Sequence, residues 1–197
     1  MPLTSLLETN GLTLDKETVT SLERFAALLM EWNRVHNLTG AKTEEAIGEQ
    51  ILDSLWPVTF LPTPYSLLDI GTGAGFPGLV LAIALPDTPC TLCEPLQKRA
   101  AFLRYAAGEL GLKNVTVEAR RVEALPARPY SLITSRAVTE TRELIGWSRP
   151  FIDETTQMLF YKGEQVFSEI EGLQRCDIEL VTRDKRHYLW IKEANRC

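Results

Sequence analysis

The stretch from Leu67 to Gly78, LLDIGTGAGFPG, constrains the fold more than any other part of the chain. It begins with an apolar run that encloses one acid, which is typical of a strand buried in a parallel sheet. The glycines that follow let the backbone turn tightly and approach a ligand closely. Residues 77–85 continue as a short apolar helix, with Pro77 suited to its first turn. This strand, glycine loop and helix predict the mouth of a nucleotide-cofactor site.

The glycine spacing is compatible with two classes of cofactor. Gly73, Gly75 and Gly78 match G-x-G-x-x-G, the dinucleotide fingerprint. The stretch also resembles D-x-G-x-G-x-G, the first motif of S-adenosylmethionine-dependent methyltransferases, through Asp69, Gly71, Gly73 and Gly75. An acid at the end of the strand would repel a pyrophosphate, whereas it suits a cofactor that carries an ammonium and a sulfonium. The acid therefore favours the methyltransferase motif over an NAD-linked oxidoreductase.

The remainder of the chain alternates between strand and helix patterns. Strands are predicted at residues 65–70, 89–94, 114–119, 130–135 and 156–161, and helices at 77–85, 96–110, 139–148 and 163–172. This alternation predicts an α/β fold with a doubly wound parallel sheet. Two strand-like runs, 175–182 and 187–193, are joined by residues 183–186 and predict a closing hairpin. An antiparallel last strand is normal in a methyltransferase sheet and unusual in a dinucleotide domain.

Residues 1–60 carry a helical pattern of a different kind. A long amphipathic segment follows Thr13 or Asp15, either of which can cap it, and a second segment follows Thr43. Pro57, Pro62 and Pro64 then end the helical region. We therefore predict two units, an N-terminal helical cap over residues 1–60 and a Rossmann-like domain over residues 61–197. Because the cap precedes the cofactor strand, we expect it to form a wall of the substrate cleft.

Composition is that of an ordinary soluble globular protein, with 45% apolar and 24% charged residues. The longest apolar run is too short to span a bilayer and no secretory signal is visible, so we expect a cytoplasmic protein without a membrane anchor. The four cysteines lack a framework spacing, and Cys90 and Cys93 point to opposite faces of a predicted strand. We therefore expect these two cysteines in the core rather than in a metal or redox site.

Charge is distributed unevenly along the chain. The net charge of −5 argues against a simple polycationic nucleic-acid binder. Residues 1–60 hold four Lys/Arg and nine Asp/Glu, whereas residues 98–149 hold ten and five. The cationic stretch is compatible with a local contact to a phosphate backbone and equally with a solvated helix face.

The predicted strand ends supply candidate cofactor contacts. We expect Asp69 and Gly71 to lie against the aminoacyl end of the cofactor, with Gly73 and Gly75 letting it approach the backbone. Further candidates follow the next strands along the chain: Glu94 for the ribose hydroxyls, Glu123 for the adenine, and Arg136 beside the transferred methyl. Ordinary strand-end or turn positions remain the alternative for each of the two glutamates, and a structural salt bridge remains the alternative for Arg136.

The motifs that other methyltransferases use are missing. No N-P-P-Y or D-P-P-Y tetrapeptide follows the fourth strand, and Cys90 lies in the wrong place for a cytosine-C5 nucleophile. The sequence also shows no obvious general base, because neither His36 nor His187 belongs to a recognisable catalytic motif. Methylation of an atom that already has a free lone pair, such as guanine N7, would need neither a covalent nucleophile nor a general base. Catalysis would then depend on the alignment of that nitrogen with the methyl.

Together the segments are similar to the bacterial small-subunit rRNA guanine-N7 methyltransferase family, also called glucose-inhibited division protein B. The similarity covers almost the whole chain and is carried by Trp32-Asn33, Asn37-Leu38-Thr39, Ile51-Leu52-Asp53-Ser54, residues 69–78, Lys98-Arg99, Phe102-Leu103, Arg121-Val122-Glu123, Ser135-Arg136-Ala137, Lys162-Gly163 and Arg186-His187. Two small departures are Gln50, where a histidine is frequent, and Glu94, where an aspartate is frequent.

This resemblance implies a class I S-adenosylmethionine-dependent methyltransferase that acts on N7 of a guanine in the decoding-region loop of 16S rRNA. The implied partner is 16S rRNA or the small ribosomal subunit, and we expect a monomer without a metal. The implied cofactor contacts are Gly71, Phe76, Val122, Glu123 and Arg136. The implied cationic substrate mouth consists of Arg121, Arg136, Lys162 and Arg186. A methyltransferase for another RNA or a small molecule remains the near alternative.

Overall fold

A seven-stranded sheet forms the centre of the molecule in the computed structural model, which describes residues 1–197. Its strands are β1 (Leu67–Ile70), β2 (Cys90–Cys93), β3 (Val115–Glu118), β4 (Leu132–Arg136), β5 (Gln157–Lys162), β6 (Ile178–Arg183) and β7 (Arg186–Ile191). Their spatial order is β3-β2-β1-β4-β5-β7-β6. Strands β1 to β5 are parallel, and β7 is antiparallel to both β5 and β6. The predicted doubly wound sheet with an antiparallel last strand is confirmed.

Seven α-helices accompany the sheet. They are α1 (Leu3–Thr9), α2 (Lys16–His36), α3 (Glu44–Leu55), α4 (Gly78–Ala84), α5 (Gln97–Glu109), α6 (Thr141–Ser148) and α7 (Val166–Ile170). Helix α1 was not predicted. The helix predicted at 163–172 is only five residues long, and hydrogen-bonded turns occupy its ends. The link predicted at 183–186 is also shorter, because Arg183 and Arg186 pair with each other in the β-ladder.

The two long N-terminal helices begin at side-chain caps. Asp15, rather than Thr13, accepts a hydrogen bond from the Thr18 backbone N–H at 2.9 Å, and Thr43 accepts one from Ala46 at 3.1 Å. Such caps satisfy backbone donors that the first helical turn leaves free. Beyond α2, the Asn33 side chain accepts a bond from the backbone N–H of Thr39 and donates to the carbonyl oxygen of Ala41. Asn33 thereby fixes the turn at residues 38–40 beside the sheet.

The N-terminal helices share their core with the sheet domain. One continuous apolar cluster joins α2 and α3 to α4 and α5, and Phe25 lies 5.5 Å from Phe76 between ring centroids. A second cluster fills the other face of the sheet, under α6 and α7. The predicted boundary between residues 60 and 61 falls in the connection to β1. The cap is therefore held against the sheet domain by a shared hydrophobic interior.

The cysteines divide into two groups. Cys90 and Cys93 are buried on β2, as predicted for core residues, and burial raises the pKa of each thiol to about 12. Cys176 and Cys197 form a disulfide that the sequence did not indicate, because their proximity depends on how the hairpin and the C-terminus pack. No helix is both long and apolar enough to cross a membrane.

Candidate active site

A crevice of about 460 Å³ opens at the carboxyl ends of β1, β2 and β4. Ligands bind at this edge in open parallel sheets. Four segments line the crevice: residues 38–40, the glycine loop, the start of the loop after β2, and residues 136–138. Five of the predicted cofactor residues meet here, namely Gly71, Gly73, Phe76, Glu94 and Arg136. A larger cavity of about 810 Å³ lies among α1, α2 and α3 and contains none of the predicted residues.

Asp69 does not lie where the sequence analysis expected it. Its side chain is fully buried below the glycine loop and is not part of the crevice lining. One carboxylate oxygen accepts a hydrogen bond from the backbone N–H of Gly78, and the other accepts one from the hydroxyl of Thr134, each at 2.8 Å. Burial raises the pKa of Asp69 to about 6, although these hydrogen bonds oppose the shift. In this structure the carboxylate supports the loop rather than facing a ligand.

Gly78 is required by this support. A Cβ at residue 78 would lie 2.5 Å from the Cδ2 atom of Leu92 and 2.6 Å from the Oδ2 atom of Asp69. Only glycine therefore lets the start of α4 approach β1 and β2 closely enough for the bond to Asp69. The third glycine of the motif, Gly75, is likewise buried and packs beside Phe25. These two glycines therefore allow the loop to pack against its neighbours, and neither lines the crevice.

Glu94 links two edges of the crevice. Its Oε2 atom accepts a hydrogen bond from the backbone N–H of Gly73, and its Oε1 atom accepts one from Leu96, each at 2.9 Å. The side chain is buried, and the residue lines the crevice. One carboxylate therefore joins the glycine loop to the segment that leads into α5.

The residues predicted beside the adenine lie outside the crevice lining. Val122 is buried in the second apolar cluster, while Arg121 and Glu123 are exposed at the turn after β3. Neither Val122 nor Glu123 is among the residues that line the crevice. Their assignment stays a prediction.

Arg136 connects the crevice with the helical cap. Its guanidinium lies 4.9 Å from the ring centroid of Phe76 and reaches Asp53 at 3.5 Å and Gln50 at 3.3 Å, both on α3. Burial lowers the pKa of Arg136, and the charge of Asp53 opposes that shift. Asp53 also accepts a hydrogen bond from Nε of Arg186 at 2.8 Å. Sequence reasoning missed Asp53 and Gln50 as site residues, although both fall in or beside a segment that carried the resemblance.

Lys162 does not contribute to an open cationic mouth. Its side chain is 9% exposed, its ammonium forms an ion pair with Glu169 at 2.8 Å, and it donates to the carbonyl oxygen of Thr139 at 3.0 Å. A direct RNA contact by Lys162 stays a prediction, and in this structure the buried ammonium would first have to leave its partner to reach a phosphate. Glu169 also accepts bonds from the backbone and the hydroxyl of Thr141.

These contacts anchor residues 137–140, which border the crevice. Val138 lies against Gly71 so closely that a Cβ at Gly71, whose φ is +72°, would come within 2.5 Å of the Val138 Cγ2 atom. Ala137 adopts a left-handed φ of 53° at the end of β4. Lys162 and Glu169 thus determine where one wall of the crevice stands. The signal that could have indicated this role is their separation of seven residues across a predicted strand-to-helix junction.

The crevice has the chemistry of a site for a polar, partly cationic cofactor. The Thr72 hydroxyl is buried at its wall, near the carboxylate of Asp69. The buried carboxylate of Glu94 and the aromatic ring of Phe76 line the same space. An acid, a buried hydroxyl and an apolar ring suit the ribose and the charged end of a nucleoside cofactor. The residues present therefore fit S-adenosylmethionine.

Comparison with known proteins gives a consistent result. The family model described as rRNA small subunit methyltransferase G matches residues 18–192. A ribosomal RNA small subunit methyltransferase G of Wolinella succinogenes is 54% identical over 84% of this chain and 86% of that protein. The protein of the same name from Aliarcobacter butzleri is 43% identical over 96% of this chain and 98% of its own length.

Solved structures show the same fold at low identity. A methyltransferase from Geobacter sulfurreducens superposes with a TM-score of 0.65 at 12% identity, over 86% of this chain and 88% of that chain. A variant of MtNAS in complex with S-adenosylmethionine gives a TM-score of 0.60 at 13% identity, over 97% and 82%. These likenesses support the methyltransferase sheet over the dinucleotide domain that the glycine spacing alone allowed.

Proposed function

The chain belongs to the rRNA small subunit methyltransferase G family, and from this premise we propose that it methylates N7 of a guanine in the decoding-region loop of 16S rRNA. It is an S-adenosylmethionine-dependent rRNA methyltransferase. The observation that carries the finer proposal is the family match over residues 18–192, which includes every element that lines the crevice. The choice of guanine N7 follows from the family.

We assign the cofactor to the crevice, with its ribose toward Glu94 and its methyl toward Arg136. Support comes from the way Glu94 joins the glycine loop to the segment leading into α5, and from the position of Arg136 at the end of β4. Asp69 acts in this proposal as a positioning residue that holds Gly78 and the loop. Val122 and Glu123 remain our candidates for the adenine end.

Methyl transfer to N7 makes few demands on acid–base groups. S-adenosylmethionine supplies a methyl on a sulfonium, and guanine N7 has a lone pair that needs no deprotonation. The chain's own task is to align the base with that methyl and to exclude water. Arg136 is suited to this task because two acceptors on α3 hold its guanidinium at the crevice wall.

The proposed partner is 16S rRNA, free or within the small ribosomal subunit, and the proposed location is therefore the cytoplasm. Arg121 is exposed, Arg186 is 39% exposed, and both lie at the same edge of the sheet as Arg136. We propose that these arginines meet RNA phosphates, whereas Lys162 acts through the wall that it anchors. Because no feature requires a second copy, we propose that the enzyme acts as a monomer.

The test is transfer of labelled methyl to small ribosomal subunits and to purified 16S rRNA, followed by mapping of the modified base. Label at N7 of one guanine in the decoding-region loop is expected. Label at another base or on another RNA would contradict the proposal. A thermal-shift assay separates the cofactor classes, because a ligand at 100 times its Kd stabilises the folded state by about 2.7 kcal/mol. S-adenosylmethionine should raise the Tm and NAD should leave it unchanged.

A further inference from the structure

Asp53, on the cap helix α3, lies at the centre of a buried polar cluster that the methyltransferase assignment leaves unexplained. The residue is 4% exposed, and its carboxylate accepts hydrogen bonds from three side chains. Its Oδ1 atom meets Arg186 Nε at 2.8 Å and the hydroxyl of Tyr188 at 2.9 Å, and its Oδ2 atom meets Arg136 Nη1 at 3.5 Å. We call Asp53, Arg136 and Arg186 the arginine bracket.

The sheet register places the partners of Asp53 in one row. Arg136 on β4 pairs with Tyr161 on β5, and Tyr161 pairs with Tyr188 on β7. Residues opposite each other on neighbouring strands point to the same face of a sheet, and Arg186 lies two positions before Tyr188 on that face. Helix α3 crosses this row, where the Tyr161 hydroxyl donates to the carbonyl oxygen of Ser54 at 2.8 Å. Asp53 therefore joins β4 and β7 to the cap, and its neighbour Ser54 joins β5.

The cap also fixes the orientation of the guanidinium at the crevice. Gln50 lies three residues before Asp53 on α3, so the two side chains share one helix face. Arg136 donates one Nη to Asp53 and the other to Gln50, and its guanidinium lies over the ring of Phe76. Two acceptors and one ring determine the plane of the guanidinium, which a single ion pair does not.

The charges in the bracket do not balance. Two guanidinium groups face one carboxylate, so the bracket has one positive charge in excess. Arg136 is mostly enclosed, with 16% of its side chain exposed, whereas Arg186 is 39% exposed. A second anion can therefore approach from the open side of Arg186 without displacing the contact between Asp53 and Arg136. The chemistry that matches this excess is a phosphodiester group.

We infer that Asp53 is a positioning residue that fixes Arg136 at the crevice and leaves the excess charge of Arg186 for one phosphate of the RNA strand. The inference rests on the proposed function and deepens it by naming how the cap couples RNA binding to alignment at the crevice. Without the carboxylate, Arg136 loses its anchor and the bracket gains one net positive charge. Turnover should therefore fall while the attraction for RNA rises.

The experiment compares Asp53→Asn with wild type and with Glu49→Gln, a control that removes one exposed negative charge from the same helix. Salt dependence of binding is measured with an RNA oligonucleotide that spans the decoding-region loop, and methyl transfer is measured under single-turnover conditions on small subunits. For Asp53→Asn we expect transfer to slow by about 100-fold. Its slope of log affinity against log salt should steepen by about 0.7, the value for one further phosphate on a single strand.

The opposite signs of the two effects distinguish positioning from damage to the fold. A variant that merely unfolds loses both RNA binding and methyl transfer. If Asp53→Asn instead has the same salt slope and the same transfer rate as Glu49→Gln, the inference is overturned. If Asp53→Asn does not fold, Arg186→Gln provides the test, because its slope should become shallower by about 0.7. An unchanged slope for Arg186→Gln would overturn the inference as well. Absence of methyl transfer by the wild type would refute the proposed function, and the binding slopes would still report on the bracket.

Discussion

The buried carboxylate of Asp69 should make the stability of the protein depend on pH in a defined direction. The pKa of Asp69 is raised from 3.8 to about 6 in the folded state, mainly by burial. Between these values the folded state binds more protons than the unfolded chain, so the free energy of unfolding falls as pH rises. A difference of about 2 pKa units corresponds to about 3 kcal/mol. That contribution is present below pH 3.8 and is lost once the pH exceeds about 6.

Asp69→Asn removes this titration with little change of shape. The amide oxygen can accept from the backbone N–H of Gly78, and the amide nitrogen can donate to the hydroxyl of Thr134, which is able to reverse its role. The free energy of unfolding of the variant, relative to wild type, should therefore increase by about 2 kcal/mol between pH 4 and pH 7. Urea unfolding followed by circular dichroism at a series of pH values measures this difference.

The control for that experiment is Asp87→Asn, which changes an exposed acid. The difference in free energy of unfolding between Asp87→Asn and wild type should not show the pH dependence expected for Asp69→Asn. If the free energy of unfolding of Asp69→Asn differs from that of wild type by the same amount at every pH, the argument from burial is refuted. Calorimetry on the same variant also tests the loop-support role. Retained affinity for S-adenosylmethionine supports it, whereas loss of binding at every pH would instead favour a direct contact between the carboxylate and the ammonium.

Three further substitutions test other parts of the site. Arg136→Ala should reduce methyl transfer by about 100-fold while the protein stays folded, and normal turnover would contradict its alignment role. Lys162→Met should destabilise the protein by about 3–5 kcal/mol in urea unfolding, with partial recovery on adding Glu169→Gln and no change in the salt slope of RNA binding. Gly71→Ala should lower cofactor affinity in calorimetry because its Cβ would displace Val138, and unchanged affinity would show that this wall can move freely.

The sequence predicted the sheet well because each strand and helix carries its own local signal. The run LLDI is buried at every position on β1, and the glycines after it form the loop at the sheet edge. The antiparallel β7 was predicted from the hairpin pattern, and its insertion between β5 and β6 completes the methyltransferase order. Caps at Asp15 and Thr43 were predictable for the same reason, since the cap and the bonded N–H lie three residues apart.

The roles of individual charged residues were less predictable, because they depend on contacts between distant parts of the chain. Asp69 matched its motif, but the motif does not say whether the carboxylate faces the loop or the ligand. The resemblance placed Lys162 in the cationic substrate mouth, whereas its ammonium is buried against Glu169, which lies on a helix of only five residues. Arg136 lies at the end of the fourth strand as predicted, while its partner Asp53 is 83 positions away. Sequence spacing carries no information about such a pair.

The local arrangement of charged residues explains how an acidic protein can present a site for RNA. The net charge of −5 is distributed unevenly along the chain, and much of the negative charge lies on the helical cap. The cap nevertheless places one acid, Asp53, directly against two arginines, and in doing so it orders them rather than neutralising both. The local charge that a phosphate meets is set by these few groups, since charges beyond about 8–10 Å are largely screened at physiological salt. An overall negative charge is therefore compatible with RNA binding.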